Sequence, residues 1–181
     1  MAKNNETKTI TVFGTSKAAE SDEVFEMAEE LGRRLAKCGF TLANGGYGGT
    51  MLATAKGAAG AGGKVIGITC TAFKRGKANE YVSEEISTNS LSERLAKLIE
   101  LGDAYVVLPG GTGTLLELAD VWEHKNKGFA NTDKPIILVG AFWQPLLAMM
   151  AAADADSVLH VELAENVENV IELLKSTLKR G

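Results

Sequence analysis

Apolar residues along the chain recur in two distinct patterns, and the patterns alternate. Val24, Met27, Ala28, Leu31 and Leu35 return at helical spacing behind Ser21, which predicts an N-cap with Asp22 and Glu23 in the first turn. The stretch Lys37-Cys38-Gly39 closes that helix. Leu91, Leu95 and Leu98 mark a second helix of the same kind. Between the periodic stretches lie short unbroken apolar runs: TITVF (Thr9–Phe13), FTLA ending at Ala43, KVIGIT (Lys64–Thr69), AYVVL (Ala104–Leu108) and PIILV from Pro135. A strand with one wet face alternates apolar and polar residues. These runs do not alternate, which predicts strands covered on both faces. Further expected elements are a small-residue helix over Met51–Ala59, a short strand near Ile86 and a helix running to about Lys127. A helix from about Pro145, a strand in VLHV (Val158–Val161) and a terminal helix Glu165–Leu178 complete the series. Thr71–Thr88 has little periodicity, holds Lys74, Arg75 and Lys77, and reads as a long loop beside a site.

Strands alternating with helices define an α/β class: a single-domain, Rossmann-like, doubly wound parallel sheet with helices on both faces, spanning 1–181 with residues 1–8 flexible. In such sheets ligands bind beyond the carboxyl ends of the strands, where the strand order reverses. Three loops have that place and a suitable composition: Gly14–Lys17, Asn44–Thr50 and Pro109–Thr114. Composition narrows the partners. A net charge of −4 gives no electrostatic reason to expect nucleic acid or an acidic membrane. Cys38 and Cys70 cannot make a disulfide framework and have no partners at metal-ligand spacing, so both are expected as small buried residues in a reducing compartment. The N-terminal MAKNNETK lacks a signal-peptide core, and the longest apolar run is broken by Gln144 and Pro145. A cytoplasmic protein without a membrane segment is expected.

The glycine loops exclude two familiar chemistries. A dinucleotide fingerprint would need glycine at Met51 or at Leu116, and the nearest P-loop match, GAAGAGGKV, leads into a strand instead of a helix. What remains is PGGTGT, which follows a buried strand and opens a helix. Its backbone N–H groups and the helix dipole favour an anion, and Thr112 and Thr114 add hydroxyl donors. The expected phosphate cradle comprises Gly14, Thr15 and Ser16 from the first loop, and Asn44, Gly45, Gly46, Gly48 and Gly49 from the second. Pro109, Gly110, Gly111, Thr112, Gly113 and Thr114 supply the third. Arg94 sits three residues after Leu91 and four before Leu98, on the apolar stripe. Such a position implies either an anionic partner or a snorkelling side chain at the core edge. Glu117, one turn into its helix, reads by itself as a residue that favours the helix dipole. Asp120 and Glu123 read as surface charges, and His124 has no evident catalytic partner.

PGGTGTLLE (Pro109–Glu117) resembles the P-G-G-x-G-T-x-x-E signature of the LONELY GUY (LOG) family, often labelled lysine decarboxylases. The likeness extends to GTS at Gly14–Ser16, NGGYGGTM from Asn44, SERLAKL from Ser92 and DKPI at Asp133–Ile136. The resemblance implies hydrolysis of the N-glycosidic bond of a nucleoside 5′-monophosphate, giving free base and ribose 5-phosphate. It places Arg94 and Glu117 as the catalytic pair, requires no metal or organic cofactor, and implies an AMP-like substrate and a homodimer. Departures from the family pattern fall at Leu95, Leu116, Thr50-Met51-Leu52 and His124, outside that pair. No lysine has a convincing setting for a pyridoxal phosphate Schiff base, so a true lysine decarboxylase is not expected. The alternative is a non-catalytic binder on the same scaffold, a nucleotide sensor or a protein similar to the molybdenum cofactor carriers.

Overall fold

The computed structural model describes residues 7–74, 76–129 and 133–178. Arg75 and all but the last two positions of the expected flexible stretch 1–8 lie outside them; Lys8 pairs with Asp103 at 3.1 Å. In chain order the elements are β1 (Thr9–Phe13), α1 (Glu23–Lys37), β2 (Thr41–Asn44), α2 (Thr50–Gly60), β3 (Val65–Cys70) and β4 (Glu84–Thr88). There follow α3 (Leu91–Leu101), β5 (Ala104–Val107), α4 (Thr112–Asn126), β6 (Ile136–Val139), α5 (Gln144–Ala153), β7 (Glu162–Ala164) and α6 (Val167–Leu178).

One seven-stranded sheet runs β4-β3-β2-β1-β5-β6-β7, with every neighbouring pair parallel. From β1 the chain builds outward through β2, β3 and β4, then returns to the other side of β1 with β5. The reversal therefore falls between β1 and β5. Consecutive strand residues point to opposite faces, and both faces are apolar. Ile10, Val12, Val106 and Val139 join Phe25, Leu31 and Leu35 of α1 and Ile171 and Leu174 of α6 in one core cluster. Phe13, Val107, Ile136 and Leu138 join Leu98 of α3, Leu118 and Trp122 of α4 and Trp143 in the other. The edges differ. β4 exposes Glu84 and Glu85 and β7 exposes Glu162 and Leu163, so the exposed strand residues lie on the outer strands.

Several local expectations are corrected. Asp22, not Ser21, is the N-cap residue of α1, and its Oδ2 accepts from the Ala19 amide at 2.8 Å instead of from the helix. The α1 core face is Phe25, Ala28, Leu31, Gly32 and Leu35; Val24 and Met27 are only half-buried. VLHV is not a strand: Ser157–His160 form a 3-10 turn, and the strand is the following Glu162–Ala164. The terminal helix starts at Val167. On α3 the first buried position belongs to Arg94, while Leu91 faces solvent. Cys70 is buried as expected, whereas Cys38 is half-buried. Among the described residues no helix is long and apolar enough to cross a membrane.

Helices α1 and α2 cross so closely that glycines are required at the contact. Gly32 lies against the Thr54 carbonyl, Gly57 lies against the Glu29 carbonyl, and a Cβ at either would strike backbone. Overpacking of that kind costs about 1–3 kcal/mol or more. Gly57→Val is expected to lower Tm by several degrees, while Gly62→Val, where the open space removes the clash and only the positive φ is strained, is expected to cost less. Thermal unfolding followed by circular dichroism checks the order.

Candidate functional site

At the carboxyl ends of β1 and β5 the loops part around a cleft of about 380 Å3. The first loop contributes Gly14, Thr15, Ser16 and Lys17, and the third contributes Gly111 with Thr112, Gly113 and Thr114 of α4. Arg94 and Glu117 form its floor with Tyr47 and Met51. The structure thus brings the first and third loops together, and Lys17, Tyr47 and Met51, not singled out among the expected cradle residues, line the same cleft. The aromatic ring set among glycines in NGGYGGT was the available signal for Tyr47.

The second glycine loop is bonded largely to the protein itself. Asn44 is fully buried, and its amide donates to the Met51 carbonyl and Thr54 Oγ1, each at 2.9 Å, while its Oδ1 accepts from the Gly46 amide at 2.8 Å. Every polar atom of that side chain is engaged inside the loop, so Asn44 shapes the site without facing it. Gly49, at φ +66°, packs on Thr15 and Ser16, and the Thr50 amide donates to the Thr15 carbonyl at 2.9 Å. Gly45 lies directly beneath the Arg94 guanidinium, where any Cβ would displace it. Gly46 receives Asn79 through its carbonyl, and Gly48 lines a second, adjoining cavity. Pro109 and Gly110 form the turn into α4, with Gly110 against the Thr114 side chain, and neither lines the cleft.

Arg94 is held on all sides. Ser90 caps α3 by accepting from the Glu93 amide at 3.1 Å, and Glu93 reaches back to the Asn89 amide at 2.6 Å. One residue on, Arg94 is 7% exposed. Its Nε donates to the Ile68 carbonyl at 2.8 Å, and its guanidinium lies 5.7 Å from the Tyr47 ring centre and 5.6 Å from that of Phe73. Tyr47 is fixed in turn, its hydroxyl accepting from the Cys70 amide at 2.8 Å and donating to the Cys70 carbonyl at 3.2 Å. The remaining side of Arg94 faces Glu117, with Nη1 to Oε1 at 3.5 Å. That pair is loose, and burial prevails over it: removal from water pushes the Glu117 carboxyl up to about 7 despite the pull of Arg94.

Above this pair stands the amino end of α4. Gly111 supplies no side-chain cap, and the first helical bond runs from the Leu115 amide to the Gly111 carbonyl at 2.9 Å. The amides of Thr112, Gly113 and Thr114 precede that bond and have no acceptor within the helix. An anion at that end gains both the free donors and the helix dipole. Outside the cleft, His124 Nδ1 lies 2.9 Å from Asp120 Oδ1 and 2.8 Å from the Asp120 carbonyl, a local pair on the far turns of α4. Among the described residues no group of three or more His, Cys, Asp or Glu is placed to hold a metal ion.

Residues 51–177 match the family described as "Possible lysine decarboxylase". Two relatives share the name cytokinin riboside 5′-monophosphate phosphoribohydrolase. That of Rhodococcoides fascians is 28% identical, covering 93% of this chain and 90% of its own. That of Mycobacterium tuberculosis is 36% identical, covering 72% of this chain and 70% of its own. Among solved structures, the molybdenum cofactor binding protein of Rippkaea orientalis superposes with a TM-score of 0.79 at 27% identity, covering 96% of this chain and 99% of its own.

The Glu117 environment generates a prediction about stability. Its folded pKa of about 7 exceeds the ordinary 4.5, so the folded state retains a proton that the unfolded chain has lost. Folding stability therefore falls as pH rises from about 4.5 to about 7, and the penalty is fully present above that range. Glu117→Gln removes it. The variant is expected to gain on the order of 5–10 °C in Tm relative to the parent between pH 5 and pH 8. Thermal scans at the two pH values test this, and a Tm difference independent of pH would show that Glu117 ionises as it does in water.

Proposed function

The chain belongs to the LOG family, and on that premise we propose that it hydrolyses the N-glycosidic bond of a nucleoside 5′-monophosphate to free base and ribose 5-phosphate. The observation that carries this reading is the buried Glu117 carboxyl, paired with Arg94 and placed one turn below the uncapped end of α4. The 5′-phosphate sits on the amides of Thr112–Thr114, with the Thr112 and Thr114 hydroxyls and the first loop, Gly14, Thr15 and Ser16, completing the cradle. Asn44, Gly45, Gly46 and Gly49 support that cradle from behind. Binding of the phosphate, remote from the bond that breaks, positions the ribose over Glu117. As the base leaves, the ribose takes on oxocarbenium character, and the ionised Glu117 stabilises that charge and orients the attacking water. Arg94 holds Glu117 in place and lowers the cost of its ionisation. None of these steps calls for a metal or organic cofactor, and the geometry offers no support for a pyridoxal-dependent decarboxylase.

A second reading is a carrier of a phosphate-bearing ligand, favoured by the similarity to the molybdenum cofactor binding protein. A carrier needs the phosphate donors but has no use for a buried carboxylate beside the sugar. The Arg94–Glu117 pair therefore favours the hydrolase. The reducing cytoplasm suits the free thiols Cys38 and Cys70. We also assign to this protein a homodimer built on its α5 face. α5 reads QPLLAMMAAA yet has no buried residue, and Phe142 just before it and Met149 within it are 54% and 59% exposed. A second copy of the same face is the self-complementary partner for such a patch.

Incubation with a panel of nucleoside monophosphates, followed by chromatography for free base, tests the activity. Glu117→Ala and Arg94→Ala are each expected to lower kcat/KM by roughly 100-fold or more; tight binding without release across the panel would favour the carrier. Because the ionised carboxylate is the active form, kcat/KM is expected to rise with pH and level off above about 7. An acidic limb confined to about pH 6, where a phosphate monoester loses its second proton, would instead assign the ionisation to the substrate. Light scattering is expected to give a dimer at micromolar concentration and a monomer for Met149→Glu.

A further inference from the structure

Beside the main cleft lies a second cavity of about 340 Å3, lined by Ser16, Tyr47, Gly48, Lys77 and Asn79. Ser16 and Tyr47 line both, so the two spaces join into one groove. Its direction follows the strand order. The groove starts at α4 beyond β5, crosses the ends of β1 and β2, and finishes at residues 71–83, which leave β3. Neighbouring strands are about 4.8 Å apart, so three strand spacings give about 14 Å, enough for a whole nucleotide laid lengthwise. A nucleotide laid with its phosphate on the amino end of α4 and its ribose over Glu117 would have the second cavity within reach of its base, past the shared residues Ser16 and Tyr47.

The wall of that cavity is polar, and among its described residues Lys77 is the cation. Asn79 pins the 71–83 segment to the second glycine loop: its amide donates to the Gly46 carbonyl at 2.8 Å, and its Nδ2 donates to the Gly46 and Tyr47 carbonyls at 3.1 and 2.9 Å. The Ala78 amide donates to Glu85 Oε1 at 3.3 Å. Lys77 thus precedes two anchored residues. Its ammonium forms no ion pair among the described residues. Glu85 is committed to Thr69 Oγ1 at 2.7 Å and to the Ala78 amide.

Resting on the phosphoribohydrolase reading, we propose that the second cavity is the subsite for the leaving base and that Lys77 makes it select 6-oxopurine nucleotides, those of guanine or hypoxanthine, over 6-aminopurine ones. An ammonium only donates hydrogen bonds. The O6 and N7 of a 6-oxopurine are two adjacent acceptors and match it, whereas adenine and its N6-substituted derivatives place an N–H donor beside N7. Hydrolysis strengthens the preference. Water oxygen bonds to C1′, the C1′–N9 bond breaks with its electron pair going to N9, and the proton released by water ends on the base. Before that proton arrives the departing ring is anionic, and its charge spreads to N7 and, in a 6-oxopurine, to O6. A cation held at that edge favours the transition state more than the bound substrate.

The test compares initial rates of base release from GMP, IMP and AMP with the full-length protein and its Lys77→Met and Lys77→Arg variants. The expected result is kcat/KM for GMP and IMP at least about tenfold above AMP, a ratio that falls about tenfold in Lys77→Met and survives in Lys77→Arg. A loss of folding or of loop structure would lower all three rates together and leave the ratio unchanged. AMP cleaved as fast as GMP by the parent protein, or a ratio unchanged in Lys77→Met while its AMP rate stays at the parent's level, overturns the base subsite while leaving the hydrolase intact. Absence of release from every nucleotide overturns the hydrolase reading, and calorimetry then decides the subsite. Binding of GMP at least about tenfold tighter than AMP, lost in Lys77→Met, upholds the Lys77 assignment; equal or undetectable binding overturns it.

Discussion

The local structure of the site depends on burying one arginine. A guanidinium removed from water must have its charge met and its N–H groups satisfied, and each requirement reaches a different part of the chain. The Ile68 carbonyl at β3 takes Nε, the rings of Tyr47 and Phe73 lie against the plane, Gly45 yields the space of a side chain, and Glu117 of α4 supplies the negative charge. Arg94 is thus the point at which the strands on either side of the sheet reversal are tied together. Its charge is met incompletely. The 3.5 Å separation and the dry surroundings leave Glu117 with a pKa of about 7, poised between its two forms near neutral pH. A tighter pair would fix the carboxylate permanently ionised and already neutralised, and leave it less able to change its charge near neutral pH.

Much of this arrangement was legible in the residues, for reasons that differ by element. The unbroken apolar runs gave the buried parallel strands because burial on both faces removes every reason for alternation; the charged edge strand β4 lacked that signature and was visible only as a possibility around Ile86. VLHV misled because four apolar or half-apolar residues satisfy a 3-10 turn packed on α4 and α5 as well as a strand. Arg94 stood out since a charge on an apolar stripe contradicts its surroundings. The role of Asn44 was not legible. A polar residue in a glycine loop looks the same in one dimension whether its amide turns outward to a ligand or inward to Met51, Thr54 and Gly46.

The two glycine-rich loops nearest the cleft illustrate a division of labour that composition conceals. In Pro109–Thr114, exposure of the backbone is the purpose, since free amides at the start of α4 are the polar surface on offer. In Asn44–Thr50, smallness is the purpose, since Gly45 and Gly49 allow a guanidinium and the first loop to come close. Equal glycine content therefore yields one surface that faces the cleft and another that faces the protein.

The passage from β3 to β4 has a consequence of another kind. It joins two parallel strands without a helix, and no described residue of 71–83 is buried. Elsewhere in the sheet, a connection between strands is also part of a core, so its sequence is constrained by packing. Here the constraint is lighter: Tyr81 and Val82 lie against the core and Phe73 against the Arg94 guanidinium, while Lys77 and Asn79 wall one end of the groove. Between those anchors the exposed positions, Lys77 among them, are interchangeable parts: they can be exchanged with little effect on folding, and selection can retune what the groove admits while Phe73, Asn79 and the Arg94–Glu117 pair stay as they are.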